Sequence, residues 1–137
     1  MILVDTNILV AAARTADTNH RPAAQLLQNA DDALLVTPGV IAETCYLLHD
    51  HGGPRPEVEF LRSIATGGLE LAELTVPDVA RMAELCERYA DLGLGGTDAS
   101  VIAVAERLNI STVATFDRRH FTVVRPAHVE ALELLPA

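Results

Sequence analysis

Met1-Ile2-Leu3-Val4-Asp5-Thr6-Asn7 opens the chain with an apolar run, a carboxylate and two small polar side chains. The apolar run reads as a buried strand. Ile8-Leu9-Val10-Ala11-Ala12-Ala13 behind it reads as a helix packed against a core. Asp5 therefore stands at the carboxyl end of a first strand, where a helix begins. In open α/β sheets that edge is where ligands bind.

The rest of the chain repeats this alternation. Arg14 to His20 is a polar loop, and Arg21-Pro22 starts a second helix through about Asn29, with Pro near the first turn, where its missing donor costs little. Ala33 to Val36 is a second strand. Thr37 is a fitting N-cap for a third helix over Pro38 to His51, broken by Gly52-Gly53-Pro54. Glu57 to Ala65 forms a fourth helix, and Leu69 to Leu74 alternates apolar and acidic side chains as a partly exposed strand. Val76-Pro77-Asp78 opens a long helix to Tyr89, with Val79, Met82, Ala83, Cys86 and Tyr89 on one face. After the Gly-rich loop Asp91 to Gly96, Thr97 caps a helix over Asp98 to Leu108, and Asn109 stops it. Ser111 to Phe116 is another strand. Of Phe121 to Val124 and Val129 to Leu135, one completes the sheet. Strands alternating with helices predict an α/β fold: a parallel sheet sandwiched by helices, in one domain over residues 1–137.

Composition narrows the function. The chain has 137 residues, 50% of them hydrophobic and 21% charged, an ordinary globular balance. The formal charge is −9, and every base is Arg, with no Lys anywhere. Broad, tight binding to nucleic acid is disfavoured, because phosphate neutralisation supplies most non-specific affinity. A narrow nucleic-acid target would rest on a few arginines, with Arg14, Arg21, Arg118 and Arg119 as candidates. A phosphoaspartyl receiver and a haloacid-dehalogenase-type phosphatase also place Asp after the first strand, but both need an active-site Lys. Cys45 and Cys86 read as reduced thiols in a cytosolic protein. The N-terminus lacks a basic segment and Asp5 interrupts its apolar run, so no signal peptide is expected. No apolar stretch approaches the ~20 residues of a membrane helix, and a cytoplasmic protein is the expectation.

Three further acids can join Asp5. Glu43 falls at helical spacing with Val40, Leu47 and Leu48, on or beside an apolar stripe. Asp98 shares a face with Val101, Ile102, Ala105 and Leu108, in a first helical turn where negative charge suits the dipole. Asp117 ends its strand as Asp5 ends the first. Taken singly, each has an ordinary structural explanation: a stripe-edge acid reaching solvent, a helix-start acid, a turn residue. Arg118-Arg119-His120 after Asp117 is a solvated basic run or a clamp on a phosphate backbone. Taken together, the acids point to one site above the sheet edge. Two like charges ~4 Å apart repel by about 4 kcal/mol at an effective dielectric near 20, so a cluster needs protons or cations. Oxygen-rich sites suit Mg²⁺ or Mn²⁺.

Val4-Asp5-Thr6-Asn7, Ala42-Glu43, Thr97-Asp98-Ala99-Ser100 and Thr115-Phe116-Asp117-Arg118-Arg119-His120-Phe121, in this order and over nearly the whole chain, resemble a PIN-domain nuclease, more narrowly the VapC-type toxins of toxin–antitoxin pairs. The resemblance implies a three-layer α/β/α fold with a mostly parallel five-stranded sheet. It implies a Mg²⁺- or Mn²⁺-dependent endoribonuclease that cuts structured RNA, tRNA or rRNA, and so inhibits translation and growth. Asp5, Glu43, Asp98 and Asp117 would be the catalytic, metal-binding quartet, with Asn7 and Thr115 orienting a carboxylate or a metal-bound water. Asp91, in the loop before the third motif, reads as an exposed acid, and His20 as a helix-start residue. A VapB-type antitoxin would occupy a groove formed by the first helix pair and the Glu57–Ala65 helix, and a homodimer is expected. The alternatives are a DNA-directed metallonuclease of the same fold, or a metal-binding interaction module without nuclease activity.

Overall fold

The computed structural model describes residues 1–137. Five short strands, β1 (Ile2–Val4), β2 (Leu34–Val36), β3 (Glu70–Leu71), β4 (Thr112–Ala114) and β5 (Glu133–Leu135), form one sheet in the order β3-β2-β1-β4-β5. Every pairing is parallel, with Leu3 opposite Leu35 on one side and Val113 on the other. The sheet is thus wholly rather than mostly parallel. Seven helices cross between or flank the strands: α1 (Thr6–Ala13), α2 (His20–Asn29), α3 (Pro38–Gly52), α4 (Pro54–Ala65), α5 (Val76–Arg88), α6 (Gly96–Leu108) and α7 (Arg118–Val123). They cover the sheet in a three-layer α/β/α arrangement, which is why β1 and β2 are apolar and buried at every position.

Strand order decides where a site can form. From β1 the chain adds β2 and β3 to one side, then crosses back to lay β4 and β5 on the other. The carboxyl ends of β1 and β4 border the crevice where the order reverses, the usual ligand site of doubly wound sheets. The register is held there, with the Asp5 amide donating to the Ala114 carbonyl at 2.9 Å and the Thr115 amide to the Leu135 carbonyl at 2.8 Å.

Local chemistry explains most element ends. Thr37 caps α3 by accepting from the Val40 amide at 3.4 Å, with Pro38 at the start of the helix. Thr75 and Asp78 cap α5 reciprocally. Asn109 ends α6 in the left-handed conformation, φ 56°. The α6 segment from Ala99 to Ala105 is buried all round, packed between α5 and α3, so whatever its first turn carries is held by the core.

Of the two candidates for the last strand, the end of the Val129 to Leu135 segment supplies β5, while the Asp117 side chain caps the 118–123 helix and Phe121 packs inward. Three expectations are corrected. The third strand shrinks to Glu70–Leu71, both exposed at the sheet edge. Gly95, not Thr97, caps α6, and Thr97 lies in its first turn. On α5 Met82, Cys86 and Tyr89 pack against the core as expected, but Val79 and Ala83 are exposed and the fully buried positions are Asp78 and Leu85. Buried Asp78 is paired with Arg107 of α6 at 2.9 Å, a contact that apolar spacing cannot reveal.

Candidate active site

A cavity of about 400 Å³ opens above the carboxyl ends of β1 and β4, and Asp5, Glu43, Asp98 and Asp117 all line it. Four distant stretches of sequence therefore meet at one place.

Asp5 forms the floor. It is 4% exposed and caps α1, its Oδ1 accepting from the Thr6 amide at 2.8 Å. Its Oδ2 accepts from Thr115 Oγ1 at 2.8 Å and from Asn7 Nδ2 at 3.3 Å. Thr115 Oγ1 in turn accepts from Asn7 Nδ2 at 3.2 Å and from the Asp117 amide at 2.9 Å, while Asn7 Oδ1 accepts from the Phe116 amide at 3.0 Å. Asn7 and Thr115 thus join the strand ends, fixing the Asp5 carboxylate and the Asp117 backbone. Burial pushes the Asp5 carboxyl above its ordinary value. The Thr115 and Thr6 hydrogen bonds oppose that rise, and the charges of Glu43 and Asp117 add to it. The Thr6 hydroxyl beside it is buried without a partner.

Asp98 projects from the first turn of buried α6. Burial and the charge of Asp5 push its carboxyl up to about 6, against the pull of nearby His120, with Asp117 and Glu43 adding repulsion. Glu43 lies beside the buried α3 stripe of Val40, Thr44 and Leu48 rather than in it. Its side chain reaches both the cavity and solvent.

His120 belongs to the same group. Its Nδ1 lies 2.6 Å from Asp117 Oδ2 and 3.3 Å from Asp98 Oδ2, and its Nε2 lies 3.2 Å from the Leu92 carbonyl. Both ring nitrogens face acceptors. Ligand atoms of Asp98, Asp117 and His120 lie within 4.8 Å of one another. Reading 118–120 as a basic run missed this contact. The available signal was the three-residue spacing of Asp117 and His120, which adjoins on a helix. Asp17, Asn19, Gly95 and Thr97 also line the cavity unforeseen.

The arginines lie elsewhere. Arg14, Arg21, Arg118 and Arg119 do not line the cavity, and Arg118 donates to the Pro136 carbonyl at 2.7 Å, fastening the C-terminal segment. Asp91 sits exposed in a 3-10 turn, and His20 starts α2 with Nδ1 at 2.9 Å from the Ala11 carbonyl.

The sequence pattern of the PIN domain matches residues 2–125. The chain belongs to the PIN-domain family. This PIN domain is 34% identical over 125 residues to ribonuclease VapC26 of Mycobacterium tuberculosis, covering 91% of this chain and 93% of that protein. Its fold matches the crystal structure of Mycobacterium tuberculosis VapC20, a toxin that cleaves the sarcin–ricin loop, with a TM-score of 0.81 at 22% identity, over 86% of this chain and 91% of that one. VapBC2 from Rickettsia felis, solved bound to a promoter DNA fragment, matches with a TM-score of 0.69 at 19% identity, over 98% and 97%. The PIN domain here is therefore of the VapC type, and the acids of its cavity occur at the fold's switch point. No helix in it is long and apolar enough to cross a membrane.

Proposed function

We propose that this protein is a Mg²⁺- or Mn²⁺-dependent endoribonuclease, acting in the cytoplasm as the toxin of a VapBC-type pair and cutting structured RNA such as tRNA or rRNA. The observation that carries the reading is the convergence of Asp5, Glu43, Asp98 and Asp117 on one cavity, where burial, with the repulsion among the acids adding to it, raises Asp5 and Asp98.

The donor set fits a hard divalent cation: carboxylate oxygens dominate, and repulsion among them is what a cation relieves. Asp5, Glu43, Asp98 and Asp117 would hold it. Bound there, it would supply water activation and charge neutralisation at a phosphodiester. The chain's own groups do the positioning. Thr115 and Asn7 fix the Asp5 carboxylate, and the same Thr115 hydroxyl anchors the Asp117 backbone. His120 holds Asp117 and Asp98 together.

A VapB-type antitoxin is the proposed protein partner. A second, mostly apolar cavity of about 230 Å³ lies between α1, α2, α3 and α4, with Leu9, Leu27, Leu48, Pro56 and Phe60 in its wall. It suits an apolar helix face. A homodimer remains part of the proposal.

Induced expression in cells, with mapping of new RNA 5′ ends for wild type and Asp5→Asn, tests the reading. New ends are expected in wild type alone. Equal cleavage by purified protein in excess chelator would refute the metal dependence, cleavage of DNA alone would mark a DNA-directed enzyme, and stabilisation by metal without any cleavage would mark an interaction module.

A further inference from the structure

The candidate active cavity extends beyond its carboxylate floor. It runs past Val10, Ala11 and Leu47 to Asp17 and Asn19, in the connection between α1 and α2. Asn19 occupies the N-cap position of α2, where an Asn side chain ordinarily accepts from a first-turn amide. Here it makes no capping hydrogen bond, so its amide is uncommitted. The Asn19 backbone amide instead donates to Asp17 Oδ1 at 2.8 Å, which fixes the Asp17 carboxylate beside it and leaves Oδ2 unused. The far end of the cavity therefore has an apolar wall edged by a free amide and a fixed carboxylate. A phosphate would be repelled there. A flat heterocycle with a hydrogen-bonding edge would be accepted, as in the reading of single-stranded RNA bases.

We propose that Asp17 and Asn19 read a base adjoining the scissile phosphodiester, and that this base is guanine. The inference rests on the nuclease reading above. The Watson–Crick edge of guanine presents one acceptor, O6, followed by two adjacent donors, N1–H and N2–H. Asn19 Nδ2 donates to the acceptor and the Asp17 carboxylate accepts from the donors. Adenine and cytosine each place a lone pair beside their amino group, which would face the carboxylate, and uracil has one N–H between two carbonyls. Selection by base edge also supplies what phosphate contacts do not, since the chain carries a formal charge of −9 and no arginine lines the cavity.

The test uses the full chain and labelled pentaribonucleotides that differ only in a central G, inosine, A, C or U. Binding is read by fluorescence anisotropy in Ca²⁺, and cleavage of the same panel in Mn²⁺. Wild type is expected to prefer G over A by about tenfold, the scale of a good bidentate base contact, with inosine, which lacks the N2 amine, between them. Asp17→Asn keeps Oδ1 for the Asn19 amide and so preserves the loop. It and Asn19→Ala should each bring the G-to-A ratio within twofold, while the melting-temperature rise caused by Mn²⁺ stays at the wild-type value. An unchanged ratio in both variants, or no base preference in wild type, overturns the assignment. Base preference in binding without cleavage would sink the nuclease reading alone, and cleavage without base preference would sink the base reading alone.

Discussion

Thr115 Oγ1 donates to Asp5 Oδ2 at 2.8 Å and accepts from the Asp117 amide at 2.9 Å, so one hydroxyl spans the two acids that end β1 and β4. Neither strand alone could place both carboxylates, and the parallel pairing of β1 with β4 brings the three residues together. The hydroxyl is buried, so water cannot substitute for it without repacking.

Thr115→Val removes this link while keeping shape. Buried groups left short of a partner cost about 1–3 kcal/mol each, so the melting temperature should fall. Removing groups that orient metal ligands typically weakens metal binding about 10–100-fold, and the midpoint of a Mn²⁺ titration followed by thermal shift should move by that factor. Thr115→Ser should restore both. Wild-type Mn²⁺ affinity in Thr115→Val would show that the hydroxyl serves packing alone.

His120 carries a different expectation. It counters the charges of Asp98 and Asp117, so His120→Ala should destabilise the metal-free protein, by about 1.5–3 kcal/mol for hydrogen bonds to charged groups. Divalent metal supplies countercharge of its own, so saturating Mn²⁺ should recover most of the loss. Denaturant melts with and without Mn²⁺ measure this, and an equal deficit under both conditions would rule out an electrostatic role.

The pH dependence has a definite sign. The Asp98 carboxyl, raised by burial and then by Asp5, sits at about 6 against an ordinary 3.8. A folded-state value above the unfolded one means that the folded protein holds the proton more tightly. The stability this contributes is full below pH 3.8 and is lost as pH rises through about 6. Asp5 is shifted in the same direction. Asp78 and Glu106, both lowered, act oppositely and lose stabilisation as pH falls. The contrast with Asp98→Asn therefore isolates the site. In chelator, wild type should lose several degrees of melting temperature relative to Asp98→Asn between pH 4.5 and 7, and parallel curves would contradict the raised value.

Much of this was legible in the sequence, for physical reasons that differ by residue. Asp5 and Asp117 stood out because each ends a run of apolar residues that can only be a buried strand. Glu43 and Asp98 stood out because helical spacing set them beside apolar stripes. His120 was hidden, since its role depends on 118–123 being helical and on the carbonyl of Leu92, 28 residues away. Asp17 and Asn19 were hidden because a polar loop has no periodicity to read. The inward turn of α5 was hidden because Asp78 is buried by pairing with Arg107, whose partner lies 29 residues off.

That last pairing supports a prediction remote from the cavity. Burial opposes ionisation of Asp78, but the Thr75 amide, Arg107 and the Thr75 hydroxyl outweigh it and hold the carboxyl below the ordinary range. Arg107 Nε meets Asp78 Oδ2 at 2.9 Å and its Nη2 meets the Glu73 carbonyl at 2.7 Å, joining α6 to the start of α5. Arg107→Met keeps the aliphatic stem and strands the carboxylate. Breaking a fully buried pair costs about 3–5 kcal/mol, and the 34% exposure of the Arg107 side chain lets solvent screen part of that. A loss of about 2 kcal/mol follows. The double variant Asp78→Asn with Arg107→Met should recover part of it, because no buried charge remains. Additive losses in a denaturant double-mutant cycle would mean that the pair contributes nothing as a pair, and that α5 is held by Leu85, its apolar neighbours and the Arg81–Glu106 ion pair.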